Sequence, residues 1–372
     1  MDSENLNKLI EIIGNLVAFR SVSSGSDVIK EDLINFIEHI AQSGGLQTYK
    51  FYKNGKPSML VYHPDKGDFN FSLLLHGHID VVHGHESQYV IDVKNDEIHG
   101  RGTLDMKSSV AVFLLLMENL QKVSRLPKDI GLMLTSDEEQ GGENGTKYLF
   151  AEEKIRADFF ITGEPTDLHI VNQHKGVWRA SIGVGGVSSH SSTPWLSDNP
   201  IDKITKYISE FIQNNPLPGE DEWKSTYSFN KIESGDSINK VPETAKAWID
   251  IRYTIEEELF VLKNEINRYF PDSTIDLIFS TPPVYTEEDN PNILRLNQRI
   301  EEVTGNQSEI RRKEYSTDAR YASMHNIPAV VFGPSGKGIH EHDEYVEIES
   351  LKKYYEILWK YCVDFEDSRK VT

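Results

Sequence analysis

The chain has 372 residues, of which 38% are apolar and 26% are charged. This length exceeds one ordinary hydrophobic core, so two domains are expected, and the apolar content excludes an intrinsically disordered protein. The 39 Lys and Arg residues against 59 Asp and Glu residues give a formal net charge of −20. Nucleic acid phosphates and anionic membrane surfaces would repel such a chain, so neither is an expected partner.

The cysteine count and the N-terminus constrain the cellular context. The single cysteine, Cys362, excludes a disulfide framework and a cysteine-based zinc finger. The first residues lack the basic start and apolar run of a signal peptide. No stretch approaches the ~20 apolar residues of a transmembrane helix. We therefore expect a soluble, cytoplasmic protein.

The first half of the chain alternates helix and strand patterns. Apolar residues at helical spacing predict two N-terminal helices, and Asn54-Gly55 predicts a hairpin within residues 47–63. The buried strands and helices predicted next are, in chain order, 72–75, 107–123, 130–135, 145–154 and 158–162. Alternation of this kind predicts an α/β domain whose mostly parallel sheet is covered on both faces.

After about residue 174 the rhythm of the elements changes. The predicted strand, helix, two strands, helix and strand are 177–184, 200–214, 226–232, 244–254, 256–269 and 274–280. This β-α-β-β-α-β order is the ferredoxin-like arrangement, which can fold on its own. From residue 285 the chain returns to helix and strand patterns, including a strand at 327–332 and a closing helix at 347–363. The simplest organisation is an α/β domain of residues 1–174 and 285–372, with residues 175–284 inserted as a second domain.

Acidic and histidine residues follow the C-terminal ends of the predicted parallel strands. They are His78, Asp80, Glu138, Glu139 and Glu164. Two further candidates are Asp105, which begins the next predicted helix, and His340, which lies past the predicted strand 327–332. Loops from neighbouring strands converge at this edge of an open parallel sheet, so ligands bind there. Imidazoles and carboxylates suit zinc, and a carboxylate can bridge two ions, so the sequence predicts a two-zinc site.

Each of these residues alone has a plainer interpretation. An acidic residue after a strand is usually a helix cap or a solvated loop residue, and a single histidine is usually a surface or hydrogen-bonded residue. The repeated pattern outweighs these interpretations. Adjacent glutamates directly after a buried strand repel each other, and a metal ion offsets that repulsion.

Several motifs carry a resemblance to known proteins. They are Gly77-His-Ile-Asp-Val-Val82, Gly102-Thr-Leu-Asp-Met-Lys107, Ser136-Asp-Glu-Glu139 with Gly141-Gly142, Gly163-Glu-Pro-Thr166 and His340-Glu-His-Asp-Glu-Tyr-Val346. In order and spacing they resemble the zinc-dependent family that contains acetylornithine deacetylase, succinyl-diaminopimelate desuccinylase, aminoacylase and glutamate carboxypeptidase. The resemblance extends over nearly the whole chain.

This resemblance implies a metal cofactor and its ligands. Two zinc ions per chain are expected, with cobalt or manganese as substitutes. His78, Asp105 and Glu164 are implied as ligands of one ion. Asp105, Glu139 and His340 are implied as ligands of the other.

The resemblance also implies catalytic and substrate-binding residues. Glu138 corresponds to the general base, and Asp80 to the carboxylate that orients the metal-bound imidazole. In the inserted domain, His190 corresponds to a histidine that polarises the scissile carbonyl, often from the neighbouring subunit. Asn239 and Arg252 correspond to substrate-binding positions, although turns and surface ion pairs also account for such residues. A homodimer formed through the inserted domain, which would act as a lid, is therefore expected.

The expected activity is hydrolysis of the amide bond of an N-acyl amino acid. Within the family, the residues of these motifs are most similar to those of acetylornithine deacetylase, and this similarity favours removal of a small acyl group. A dipeptidase or carboxypeptidase that acts on a short peptide with the same metal chemistry stays open. A non-catalytic binding module is a more remote alternative, because such a protein need not retain the base Glu138. His76, His83 and His85 are interpreted as bystanders, and Cys362 as a packing residue.

Overall fold

The computed structural model of the chain describes residues 1–24, 27–220, 222–255, 257 and 259–363. The chain divides into two compact units. The first unit comprises Met1–Gln173, Tyr285–Arg312 and the residues from Thr317 onward, and the second comprises His174–Val284 and Lys313–Ser316. Residues 313–316 thus group with the second unit, whereas the sequence analysis assigns them to the first domain. Within the described part of the chain, no helix is both long and apolar enough to cross a membrane.

The first unit is built on a large mixed sheet, which has nine strands among the described residues. Their bounds are Gln47–Lys53, Lys56–Tyr62, Asn70–His78, Ile130–Thr135, Arg156–Thr162, Ile170–His174, Val284–Tyr285, Ile310–Lys313 and Ala329–Val331. The central strands Ile130–Thr135, Asn70–His78, Arg156–Thr162 and Ala329–Val331 are neighbours in this order and run parallel. The predicted α/β class with a mostly parallel sheet is therefore confirmed.

Helices cover this sheet. Those of the first unit are Ser3–Ala18, Asp27–Ser43, Lys107–Lys122, Thr146–Ala151, Pro291–Thr304, Ala319–Ser323 and Ile348–Val363. Nearly every residue of Lys107–Lys122 is buried, because this helix packs between Ser3–Ala18 and Ile348–Val363. Such burial explains its long apolar run, Val110 to Met117.

A small antiparallel sheet in the first unit lies outside the sequence prediction. Its strands are Asp92–Lys94, Glu97–His99, Gly336–Lys337 and Tyr345–Glu347. Tyr345–Glu347 pairs with Glu97–His99, which joins two segments far apart in sequence. The loops that carry Asp105 and His340 adjoin these strands, so the sheet fixes both loops.

The second unit has the ferredoxin-like order that the sequence predicts. Its elements are Gly176–Gly185, Pro200–Asn214, Thr226–Ser234, Thr244–Tyr253, Leu259–Tyr269 and Ser273–Thr281. The four strands form one antiparallel sheet in which Gly176–Gly185 and Thr244–Tyr253 are central. Ala245, Ala247, Ile249 and Ile251 alternate with less buried residues along the strand, so one face of the sheet packs on the helices. A short pair, Ser189–His190 with Lys240–Val241, adjoins this sheet in sequence.

Candidate metal centre

His78 is the last residue of the strand Asn70–His78 and is fully buried. Its Nδ1 lies 2.9 Å from the backbone oxygen of Asp80 and donates to it. When the ring is neutral, this hydrogen bond places its proton on Nδ1 and leaves Nε2 as the nitrogen that can bind a metal ion. Nε2 lies 2.9 Å from Oδ1 of Asp105 and 3.5 Å from Oε1 of Glu164. Glu164 follows the neighbouring parallel strand, which is why the two side chains meet at this edge of the sheet.

Asp105 is shared by two groups of potential ligands. One group consists of His78, Asp105 and Glu164, and the other of Asp105, Glu139 and His340. Within each group the ligand atoms lie within 4.8 Å of one another. Oδ1 of Asp105 faces His78, whereas Oδ2 lies 3.2 Å from Nε2 of His340. Nε2 of His340 lies 3.3 Å from Oε1 of Glu139. The residues named as ligands from the sequence are thus brought together, and the Asp105 carboxylate lies between the groups.

The loop that presents Asp105 is held by a buried carboxylate. Glu344, only 1% exposed, accepts the backbone N–H groups of Gly102, Leu104 and Asp105 at 3.0, 3.0 and 3.1 Å. It also accepts a hydrogen bond from the guanidinium of Arg101 at 2.5 Å. With its backbone fixed in this way, the Asp105 carboxylate contacts the histidines instead of capping the helix that begins at Lys107.

His340 lies on a loop with an unusual backbone. Its φ of 65° is in the left-handed region, where non-glycine residues are uncommon and often belong to functional sites. Gln88 holds the loop in place, because its Nε2 donates to the backbone oxygens of Glu341 and His342 at 3.0 Å each. The imidazole itself is about half exposed, at 48%. It is therefore accessible from solvent while its backbone is constrained.

Asp80 positions the turn that bears the two adjacent glutamates. Its Oδ1 accepts the backbone N–H of Glu138 at 3.2 Å, and its Oδ2 accepts that of Glu139 at 3.1 Å. The resemblance implies a carboxylate that orients His78, but Oδ1 of Asp80 lies 3.6 Å from Nδ1 of His78. The shorter contact with that imidazole comes from the Asp80 backbone oxygen. Asp80 thus supports the imidazole with its main chain and the glutamate turn with its side chain.

The electrostatics of the cluster indicate a need for positive charge. Burial, followed by the nearby charge of Asp105, raises the pKa of Glu164 to about 8. Hydrogen bonds to Asp105 and Glu139 raise the pKa of His340 to about 10. Burial, then the charge of Asp318, raises the pKa of Glu138 well above its usual value. Burial and crowding of these carboxylates therefore favour the binding of a proton or another cation at this cluster.

The donor set fits a metal ion. Three carboxylates and two imidazoles supply oxygen and nitrogen atoms, which are the ligands that zinc accepts. Oε1 of Glu139 is buried and lies 3.3 Å from Nε2 of His340, a nitrogen ligand atom of the same group. A buried carboxylate is costly unless a cation or hydrogen-bond donors satisfy its oxygens.

The predicted residues of the inserted domain lie in the second unit. His190 is exposed, and its Nδ1 accepts the backbone N–H of Ser192 at 3.2 Å, so the neutral ring carries its proton on Nε2. The backbone oxygen of Asn239 accepts the N–H of Ser191 at 3.0 Å, which places Asn239 beside the His190 loop. Arg252, by contrast, lies near the end of its strand, and its Nε donates to Oδ1 of Asp250 at 2.8 Å.

The residues interpreted as bystanders have structural contacts. His76 is fully buried, with Nδ1 2.9 Å from Oγ1 of Thr162 and Nε2 3.1 Å from the Oγ1 atoms of Thr135 and Thr146. Cys362 is buried in the helix Ile348–Val363. These observations agree with packing and hydrogen-bonding roles.

Sequence reasoning missed several residues that support the site. They are Arg101, Lys107, Asp318, Arg320 and Glu344. Nζ of Lys107 donates to the backbone oxygens of Leu16 and Phe19 at 2.8 and 2.9 Å, at the C-terminal end of the first helix. Lys107, Arg101 and Glu344 lie in or beside the recognised motifs, which was the available signal. Asp318 and Arg320 have no such marker, because a charge pair at the start of a short helix is commonplace.

The fold and the paired ligand groups define the class of a metal-dependent hydrolase. A family model described as peptidase family M20/M25/M40 matches residues 74–363. The match covers well over half of the chain, so the protein belongs to this family. It is therefore a metal-dependent hydrolase that acts on amide bonds, as the motifs predicted.

Curated relatives and solved structures agree with this assignment. A succinyl-diaminopimelate desuccinylase of Sulfurovum sp. (strain NBC37-1) is 27% identical over 369 residues, covering 94% of this chain and 96% of the relative. An acetylornithine deacetylase of Photorhabdus laumondii is 28% identical over 384 residues, covering 93% and 94%.

The solved structures share the fold at lower identity. The aminopeptidase PepT of Bacillus cereus ATCC 10987 superposes with a TM-score of 0.78 at 17% identity, covering 96% of this chain and 98% of that chain. A dinuclear metal-binding M20 peptidase of Bacillus subtilis superposes with a TM-score of 0.71 at 14% identity, covering 97% and 98%. Both alignments extend over nearly the whole chain, so each solved structure shares the fold of both units.

Proposed function

We propose that this protein hydrolyses the amide bond of an N-acyl amino acid with two zinc ions bound per chain. The observation that carries the proposal is the shared carboxylate of Asp105, which offers one oxygen to each ligand group. One ion would be held by His78, Asp105 and Glu164, and the other by Asp105, Glu139 and His340. Bound there, the ions supply Lewis acidity, which polarises the scissile carbonyl and makes water reactive near neutral pH.

Glu138 is the proposed general base. It takes a proton from the attacking water on its carboxylate and delivers that proton to the leaving amine. Asp80 fixes the backbone of Glu138, and Glu138 belongs to neither of the two ligand groups. This separation of roles supports a base beside the ligands instead of a further ligand.

His190 is the proposed donor to the developing oxyanion. Its Nε2 carries the proton when Nδ1 accepts from Ser192, and an N–H aimed at the oxyanion stabilises the transition state. Asn239, next to this loop, and Arg252 are proposed to bind the substrate. Arg252 is held by Asp250, so its guanidinium is already oriented for a carboxylate group.

We also propose a homodimer that forms through the second unit and brings His190 to the partner's metal centre. Exposed apolar side chains support an interface near this histidine. Trp195 is 76% exposed, Leu196 66% and Ile238 fully exposed, all close in sequence to the short strands Ser189–His190 and Lys240–Val241. The strand Thr226–Ser234 is also an edge of its sheet and can pair with a second copy.

The acyl amino acid is favoured over a peptide because the curated relatives include a desuccinylase and a deacetylase that match over almost their full length. A dipeptidase or carboxypeptidase is the second candidate, and the fold shared with an aminopeptidase favours it. Both candidates use the same ligands and the same base. They differ in the group on the acyl side of the amide bond.

The test is a substrate screen with the purified, zinc-loaded protein. N-acetyl and N-succinyl amino acids are assayed beside dipeptides and tripeptides, with the Glu138→Gln protein as the control for contaminating hydrolases. Turnover of the acyl amino acids supports the proposal. Turnover of peptides alone favours the second candidate, and absence of turnover in every assay would contradict both candidates.

A further inference from the structure

The polar segment from Thr317 to Tyr321 packs against the turn that carries Glu138. The turn ends in Gly141 and Gly142, whose φ values are 101° and 65°. A Cβ atom on Gly142 would come within 2.3 Å of Oδ1 of Asp318. Only glycine at position 142 therefore allows the turn to approach this carboxylate so closely, and the positive φ of Gly141 favours glycine there as well.

Arg320 connects this segment to both ends of the turn. Its Nη2 donates to the backbone oxygen of Gly141 at 2.8 Å, and the hydroxyl of Tyr321 donates to the same oxygen. At the other end of the turn, Nη1 of Arg320 lies 3.9 Å from Oε1 of Glu138. One guanidinium thus contacts the backbone where the turn ends and the carboxylate where it begins.

The guanidinium is itself rigidly held. The Arg320 side chain is only 5% exposed, and its Nη2 lies 3.3 Å from Oδ1 of the fully buried Asp318. Oδ2 of Asp318 accepts a hydrogen bond from Oγ1 of Thr146 at 2.5 Å. Asp318 is therefore anchored in the core, and Arg320 is fixed by Asp318 and Gly141 before any substrate binds.

We propose that Arg320 is a positioning residue for Glu138, an inference that rests on the proposed role of Glu138 as the base. A fixed cation near a carboxylate in a poorly solvated site restricts the orientations of that carboxylate. A general base must lie within hydrogen-bond reach of the proton that it removes, so lost orientation slows turnover. Asp318 and Gly141 already hold the Arg320 guanidinium, so it does not depend on bound substrate for its orientation.

The kinetic test compares Arg320→Met and Arg320→Lys with the wild type in the zinc-loaded protein. We expect kcat to fall roughly 10- to 100-fold in Arg320→Met, with KM within about twofold and the metal content unchanged. Arg320→Lys, which keeps the charge, should recover part of kcat. Tyr321→Phe is the matched control, because it removes a contact to Gly141 but leaves the guanidinium beside Glu138, and it should retain kcat within about threefold.

A second arm separates positioning from a general structural role. In the Glu138→Gln background, Arg320→Met should reduce kcat little further, because the side chain that Arg320 orients no longer acts as a base. An equal loss in both backgrounds would overturn the proposal. A rise in KM with kcat retained would also overturn it, since that result indicates direct substrate binding.

A readout without turnover tests the contact itself. Melting temperatures of the zinc-loaded wild type, Arg320→Met, Glu138→Gln and the double variant form a double-mutant cycle. We expect the changes to depart from additivity by roughly 2 °C or more. Additive changes would overturn the proposal. If the wild type hydrolyses no amide, the proposed function fails, and this cycle still decides whether Arg320 and Glu138 interact.

Discussion

Oε1 of Glu344 accepts the backbone N–H of Asp105 at 3.1 Å, so the residue shared by the two ligand groups is held through its main chain by a carboxylate four residues beyond His340. Glu344 also contacts Arg101 and two further amides of the Asp105 loop. The position of Asp105 relative to His340 thus depends on one buried side chain. This dependence leads to the first prediction.

Glu344→Gln should weaken metal binding without removing a ligand. The amide group keeps one acceptor oxygen, but its NH2 group faces backbone N–H donors and the Arg101 guanidinium, so the loop shifts. Metal affinity should fall about 10- to 100-fold, as for other residues that support ligands. Competition with a coloured chelator measures the change. Glu347→Gln, an exposed residue three positions further on, removes the same charge and should leave the affinity unchanged; an equal effect in both variants would contradict the account.

Glu138→Gln should retain both metal ions and lose most of the activity. The amide cannot accept a proton from water, so turnover should fall roughly 10²- to 10⁴-fold. Elemental analysis together with kcat measures both properties. Loss of a metal ion from this variant would make Glu138 a ligand.

Glu139→Gln should have the opposite effect on the metal content. Oε1 of Glu139 lies 3.3 Å from Nε2 of His340 in the second ligand group. Its replacement should release the ion of that group, and the metal content should fall from about two ions per chain to about one. If the variant retains both ions, Glu139 is not a ligand.

His190 should act on the metal centre of the partner subunit. Inactive Glu138→Gln chains are mixed with inactive His190→Ala chains under conditions that exchange subunits. In a heterodimer, one centre then combines an intact Glu138 with an intact His190, so part of the activity should return. Sedimentation or native mass measurements establish that heterodimers form. Heterodimers without activity would mean that His190 acts within its own chain or has no role.

The sequence predicted those parts of the site that depend on local order. His78, Glu138 and Glu164 lie at or shortly after the C-terminal ends of neighbouring parallel strands, and such strand ends converge whatever the rest of the fold. The meeting of Asp105 with His340 is different. It depends on the pairing of Tyr345–Glu347 with Glu97–His99, and strands of three residues give no periodic signal.

The supporting residues were harder to predict for a physical reason. Arg320 and Glu344 act through contacts with residues more than 100 positions away in the chain, and no spacing rule relates such pairs. Asp80 shows the same limit at shorter range. The family resemblance implied that its carboxylate orients His78, but in the structure that carboxylate accepts the backbone N–H groups of Glu138 and Glu139.

The most direct test of the two-metal claim is a crystal structure of the zinc-loaded protein with anomalous scattering recorded at the zinc edge. We predict two peaks per chain, about 3.5–4 Å apart, with the Asp105 carboxylate between them. His78 and Glu164 should contact one peak, and Glu139 and His340 the other. A single peak, or two peaks that do not share Asp105, would contradict the account.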